Sequence, residues 1–152
     1  MPLPTLLLAS LTIMGGQVET MINLIEKEDA DAIRQRAAVS PESLRMRAGD
    51  GSSLIQQALY RRKPAMARLL VELGVQPDFV DHCALGDFSA VQKALRAGPH
   101  QAGAFSEDGF PVLALAVFLG HGDVAALLLR SGAKVNTPSR NALQVSPIYA
   151  FA

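Results

Sequence analysis

Tryptophan is absent, tyrosine occurs twice and cysteine once in the 152 residues. A lone thiol, Cys83, excludes an intramolecular disulfide framework and the Cys-rich four-ligand kind of zinc site. It fits a reducing compartment, so a cytoplasmic location is expected. With aromatics at 5% of the chain, an apolar fraction of 49% has to come mostly from Leu, Ala, Val and Ile. Residues of that size suit close packing of helices. An excess of charge is lacking too: 14 basic and 14 acidic residues cancel. The chain therefore carries no overall field to attract nucleic acid or an anionic membrane surface.

Length allows one domain with a substantial core, or a short stack of repeated units. The most apolar stretch, MPLPTLLLASLTIM, is too short for a helix that crosses a bilayer, which takes about 20 residues. No Lys or Arg precedes it and no clear small-x-small site follows, as a signal peptide would require. The expectation is a capping segment over 1–17, with a helix from Thr5 to Met14 stopped by Gly15-Gly16. Export by this segment is the alternative.

Chemistry-bearing residues are sparse. His82, His100 and His121 have no metal-ligand spacing, so neither a metal nor a cofactor is expected. Gly120-His121-Gly122 lacks the Lys and Ser/Thr of a phosphate-binding loop and reads as a turn. Asp81-His82-Cys83, with Asp87 nearby, is the one cluster that suggests a nucleophile and a base. Neighbours on a helix point about 100° apart, so adjacency does not pair them. Cys83 is read as a small buried residue and His82 as a half-buried hydrogen bonder. Arg61-Arg62-Lys63, with Arg68, reads as a solvated helix end whose cations complement the helix dipole.

What the chain does contain is a recurring pattern. Residues 108–136 read DGFPVLALAVFLGHGDVAALLLRSGAKVN. Asp108-Gly109 makes a tight turn, and Pro111 is placed to begin a helix whose apolar face is Val112, Leu113, Ala116 and Val117. Gly120-His121-Gly122 breaks the chain, a second apolar helix follows over Val124 to Leu129, and Gly132 closes it. Residues 50–78, DGSSLIQQALYRRKPAMARLLVELGVQPD, repeat this: Gly51 to Gly74 and Gly109 to Gly132 span equal intervals. The string HCALGDFSAVQKALRAG, residues 82–98, carries the second half again, but roughly nine residues of turn and first helix are missing before it against an about 33-residue repeat, so a short first helix is expected near Pro77 to Leu85. Before it, VETMINLIEKEDADAIRQRAAVSPESL reads as two helices with a break near Glu28-Asp29, the second ended by Ser40-Pro41.

These segments resemble ankyrin repeats. Ser53-Leu54-Ile55-Gln56-Gln57-Ala58 stands at the family's Thr-Pro-Leu-His-x-Ala, and residues 82–98 follow its Ala-Ala-x-x-Gly-Asp pattern. The resemblance implies an all-α, ankyrin-like solenoid of helical hairpins with a degenerate N-terminal repeat and an incomplete C-terminal one. The repeat domain would span 18–152, with units near 18–48, 49–78, 79–105 and 106–138 and a partial unit at 143–152. Two short helices cannot bury their shared face alone, so such units stand only when stacked.

The family's mode of action implies a non-catalytic interaction module, not an enzyme, that binds a protein through turn tips and the exposed side of each first helix. Matched positions are Tyr60, Arg61, Glu107, Asp108, Phe110, Phe118 and Leu119. Alternatives are an inhibitor or immunity-type protein that neutralises one dedicated enzyme, and a small enzyme using His82 and Cys83. Neither nucleic acid nor stable membrane insertion is expected.

Overall fold

The computed structural model describes the backbone of residues 5–142 and the side chains of residues 16–142. Within these bounds every regular element is a helix, apart from two isolated β-bridges. No helix among the described residues is long and apolar enough to cross a membrane. Contacts divide the chain into two compact units, Met1–Val75 and Gln76–Ala152.

The first unit holds α1 (Thr5–Glu26), α2 (Ala30–Val39), a short 3-10 helix (Pro41–Arg45), α3 (Leu54–Tyr60) and α4 (Pro64–Glu72). The second holds α5 (Phe79–Leu85), α6 (Phe88–Ala97), a 3-10 helix (Pro99–Gly103), α7 (Val112–Phe118) and α8 (Gly122–Arg130). From α2 onward the two units share one register. The helices α2, α3 and α4 and the first 3-10 helix each recur with both ends 58 residues later, as 88 follows 30 and 97 follows 39. Buried partners recur at the same offset: Ile33 with Val91, Ala58 with Ala116, Leu70 with Leu128.

Local chemistry explains the element ends. Asp29 caps α2 by accepting from the Ala32 N–H at 3.1 Å, and Asp87 caps α6 by accepting from Ala90 at 3.2 Å. Helices α2 and α6 stop one residue short of Pro41 and Pro99, because the residue before a proline is driven out of the helical region. Ser53 opens α3 and Asp78 opens α5, each through reciprocal bonds with the residue three positions on. Gly74 and Gly132 take φ of 111° and 105°, which lets Val75 and Ala133 donate back to Leu70 and Leu128 at 3.0 Å.

The break between paired helices needs a left-handed residue at four places. Gly86 and Gly120 supply it in the second unit, with φ of 75° and 83°. Glu28 and Arg62 occupy the matching places in the first, with φ of 54° and 58°. A side chain in that region costs about 1–2 kcal/mol, whereas glycine costs about 0.5–1 kcal/mol of extra chain entropy. Arg62 is exposed, so Arg62→Gly is expected to raise the unfolding free energy by roughly 0.5–1 kcal/mol. Urea denaturation of the variant checks this, and a lower midpoint would contradict it.

Two expectations are corrected. The helix does not stop at Gly15-Gly16: α1 runs through both glycines as one helix of 22 residues. Glycine inside a helix costs about 1 kcal/mol without ending it, and Met21 and Ile25, both fully buried, anchor the C-terminal half. Nor is α5 short: α3, α5 and α7 each have seven residues. What is missing before α5 is the projecting turn, since only residues 75–77 separate Gly74 from the cap Asp78. The partial unit expected over 143–152 lies outside the described residues.

Candidate protein-binding surface

In the second unit the chain between the 3-10 helix and α7 folds into a finger. Ser106 donates its N–H to the Phe110 carbonyl at 2.8 Å and accepts the Phe110 N–H on Oγ at 3.0 Å. Gly109, at φ 92°, closes the tip by donating to Ser106 at 2.9 Å. Glu107 is exposed there, while Asp108 and Phe110 are half-buried. The chain beyond α8 returns to this tip. The Arg140 N–H donates to the Gly109 carbonyl at 2.7 Å and the Asn141 carboxamide to that of Asp108 at 3.1 Å. The Arg140 guanidinium lies 3.7 Å from the centre of the Phe105 ring. Glycine is required at 109 by close approach as well as by φ, because a Cβ would come within 2.9 Å of the Asn141 nitrogen.

Helix α7 buries Val112 to Ala116 and then ends on Phe118, which is 63% exposed, with Leu119 half-buried after it. Tyr60 and Arg61 hold the corresponding end of α3 in the first unit. Tyr60 is half-buried, and its hydroxyl accepts from the Gln56 carboxamide at 3.1 Å. Arg61 forms an ion pair with Glu26 at 3.1 Å and donates to the Gln57 side chain. Gln57 continues the chain of bonds to the Ser52 hydroxyl at 2.6 Å, and Ser52 to the Asp50 carboxylate at 2.5 Å. Polar groups thus replace, in the first unit, the apolar Leu115 and Phe110 of the second. The ion pair was not legible locally, because Glu26 belongs to another hairpin.

The Cys/His cluster is built differently from a catalytic pair. Cys83 is fully buried, and burial, reinforced by the nearby Asp78 charge, pushes its thiol up to about 12. A thiol held protonated in this way is a poor nucleophile near neutrality. His82 is half-buried, with the Asp87 carboxylate 3.4 Å from its Nδ1. His121 faces a different group: its Nε2 lies 2.7 Å from the Ala84 carbonyl. A carbonyl only accepts, so Nε2 carries the proton. Its ring packs where a Cβ on Gly86 would stand, joining the turn after α5 to the start of α8.

Residues 108–140 match the family model of the ankyrin repeat. This segment is similar to an ankyrin repeat. The matched stretch contains the finger tip, α7, α8 and the returning segment at Arg140, so the family pattern and the geometry coincide. No curated protein matches the chain. Ankyrin repeats are in general protein-interaction modules without catalytic function. Five of the seven positions singled out in the sequence belong to this repeat or adjoin it: Glu107, Asp108, Phe110, Phe118 and Leu119. Sequence reasoning passed over Val39, which is 84% exposed at the end of α2. Its only local signal was an apolar residue directly before Ser40-Pro41.

Proposed function

We propose that the protein is a non-catalytic module that binds a protein partner through Glu107, Asp108, Phe110, Phe118 and Leu119 of the second unit and Tyr60 and Arg61 of the first. The observation that carries this reading is Phe118. A large aromatic side chain ends on solvent at the tip of a helix whose first five residues are all buried. Such a group costs little to desolvate and contributes about 1.5–3 kcal/mol when a partner covers it. Glu107 and Asp108 supply acidic groups on the finger, where charge orients a partner more than it binds it. Cys83 is a free buried thiol, in keeping with a cytoplasmic location.

Affinity purification from the native cell identifies the partner, and variants then test the surface. Phe118→Ala is expected to weaken binding about tenfold or more, and Asp108→Lys to weaken it with a shallower loss of affinity as salt is raised. Neither should move the unfolding midpoint appreciably, and Cys83→Ser should leave binding nearly intact. Loss of activity in Cys83→Ser, with both surface variants silent, would replace this reading with the catalytic one.

A further inference from the structure

The first hairpin carries a surface that the preceding proposal does not use. A groove of about 600 Å³ runs between α1 and α2, lined by Gln17, Thr20 and Leu24 on one side and by Ala32, Arg36 and Val39 on the other, with Ser43 among its remaining lining residues. None of the lining residues comes from α3 or α4. Three observations mark it. Val39 stands 84% exposed beside it, although it is aliphatic. Arg36 is half-buried, and its guanidinium has no ion-pair partner among the described residues. Ser43, one of the lining residues, is 1% exposed, and its buried Oγ has no hydrogen-bond partner among the described residues.

We propose that this groove docks one amphipathic helix of a partner protein, with an acidic residue of that helix set against Arg36. The walls explain why a helix fits. Lining positions 17, 20 and 24 on α1 and 32, 36 and 39 on α2 each extend over about two helical turns, roughly 10 Å, the reach of an i, i+3/i+4, i+7 stripe. Helical walls have their backbone groups already paired and offer no strand edge. An extended peptide laid there would bury its own N–H and C=O groups unpaired, whereas a helix brings them satisfied.

Charge then selects the sequence of the occupant. Leu24, Ala32 and Val39 take an apolar stripe, but covering Arg36 with apolar atoms alone would strand a cation. A Glu or Asp beside the stripe removes that penalty, and a Lys or Arg there is rejected. The surface shares no residue with the seven of the preceding proposal, so the two stand or fall separately.

A display library of amphipathic helical peptides, randomised along one face, is panned against the full chain and counter-panned against Arg36→Glu and Val39→Asp. Both side chains are at least partly exposed, and matched helical circular dichroism and melting confirm that the variants fold. Enriched peptides are expected to carry apolar residues at helical spacing with an adjacent Asp or Glu. They should shift the NMR signals of Val39 and Ser43, and bind Arg36→Glu and Val39→Asp at least tenfold more weakly. A peptide with that acid changed to Lys should regain affinity for Arg36→Glu, and Phe118→Ala should bind as the unaltered chain does. Recovery of no binding peptide, of peptides indifferent to both substitutions, or of basic or extended sequences would overturn the proposal.

Discussion

Leu128→Ala is expected to lower the unfolding free energy by about 2–5 kcal/mol, the range for removing a buried leucine side chain from a packed core. Leu128 is fully buried in the core of the second unit, where Cys83, Val91, Leu113 and Val124 are buried with it. These residues come from α5, α6, α7 and α8. A cavity at Leu128 therefore weakens the interior that these four helices share. In repeat architectures stability is shared between neighbours, so the four helices should lose protection together, not α8 alone. Urea denaturation and amide hydrogen exchange read the two effects. The neighbouring Leu129, 37% exposed, is the control: Leu129→Ala should change the midpoint much less. Equal losses at both positions would mean that side-chain burial does not set the stability of α8.

The next largest effect is expected at Gly86. An alanine there must take φ near 75°, at a cost of about 1–2 kcal/mol, and its Cβ would come 2.4 Å from Nδ1 of His121. The imidazole has to move, which breaks its hydrogen bond to the Ala84 carbonyl and removes about 0.5–1.5 kcal/mol more. With glycine's extra chain entropy of about 0.5–1 kcal/mol set against the backbone cost, the expected total for Gly86→Ala is about 1–2.5 kcal/mol. Gly132→Ala separates the two causes. Its φ is 105°, but nothing stands within 4 Å of a Cβ there, so only the backbone cost remains. If both variants lose the same amount in urea titrations, the His121 contact contributes nothing. A double substitution with His121→Ala measures the coupling directly.

Most of the helical framework was legible in the chain because its signals are local. Asp50-Gly51 and Asp108-Gly109 announce turns, apolar residues at helical spacing announce the buried stripes, and Gly74 and Gly132 stand where only glycine ends a helix easily. Leu113, Val124 and Leu128 could be placed in the interior from that spacing alone, and all three are buried. Other features had no local signal. Nothing in the residue types of Glu28 or Arg62 says that they adopt positive φ. They do so because the hairpin on either side is packed and the chain must reverse there. Gly15-Gly16 looked like a stop, yet residues of α1 farther along, Met21 and Ile25, are held in a core that keeps the helix continuous.

The same division runs through the surfaces. Phe118 was conspicuous in the sequence because the resemblance to ankyrin repeats puts a large apolar residue where such repeats carry variable ones. That Asp108 and Gly109 lie under Arg140 and Asn141, and that Arg61 is joined to Glu26, depends on segments distant in the chain. The sequence by itself determined helix periodicity, turn chemistry and the likeness between units, since each is written in residues within a few positions of one another. Tertiary structure alone decided which polar groups are paired, which apolar groups are left on solvent, and that Arg36, Val39 and Ser43 border one groove. Pairing and burial depend on what another segment brings to the same place, and no window of neighbouring residues contains that information.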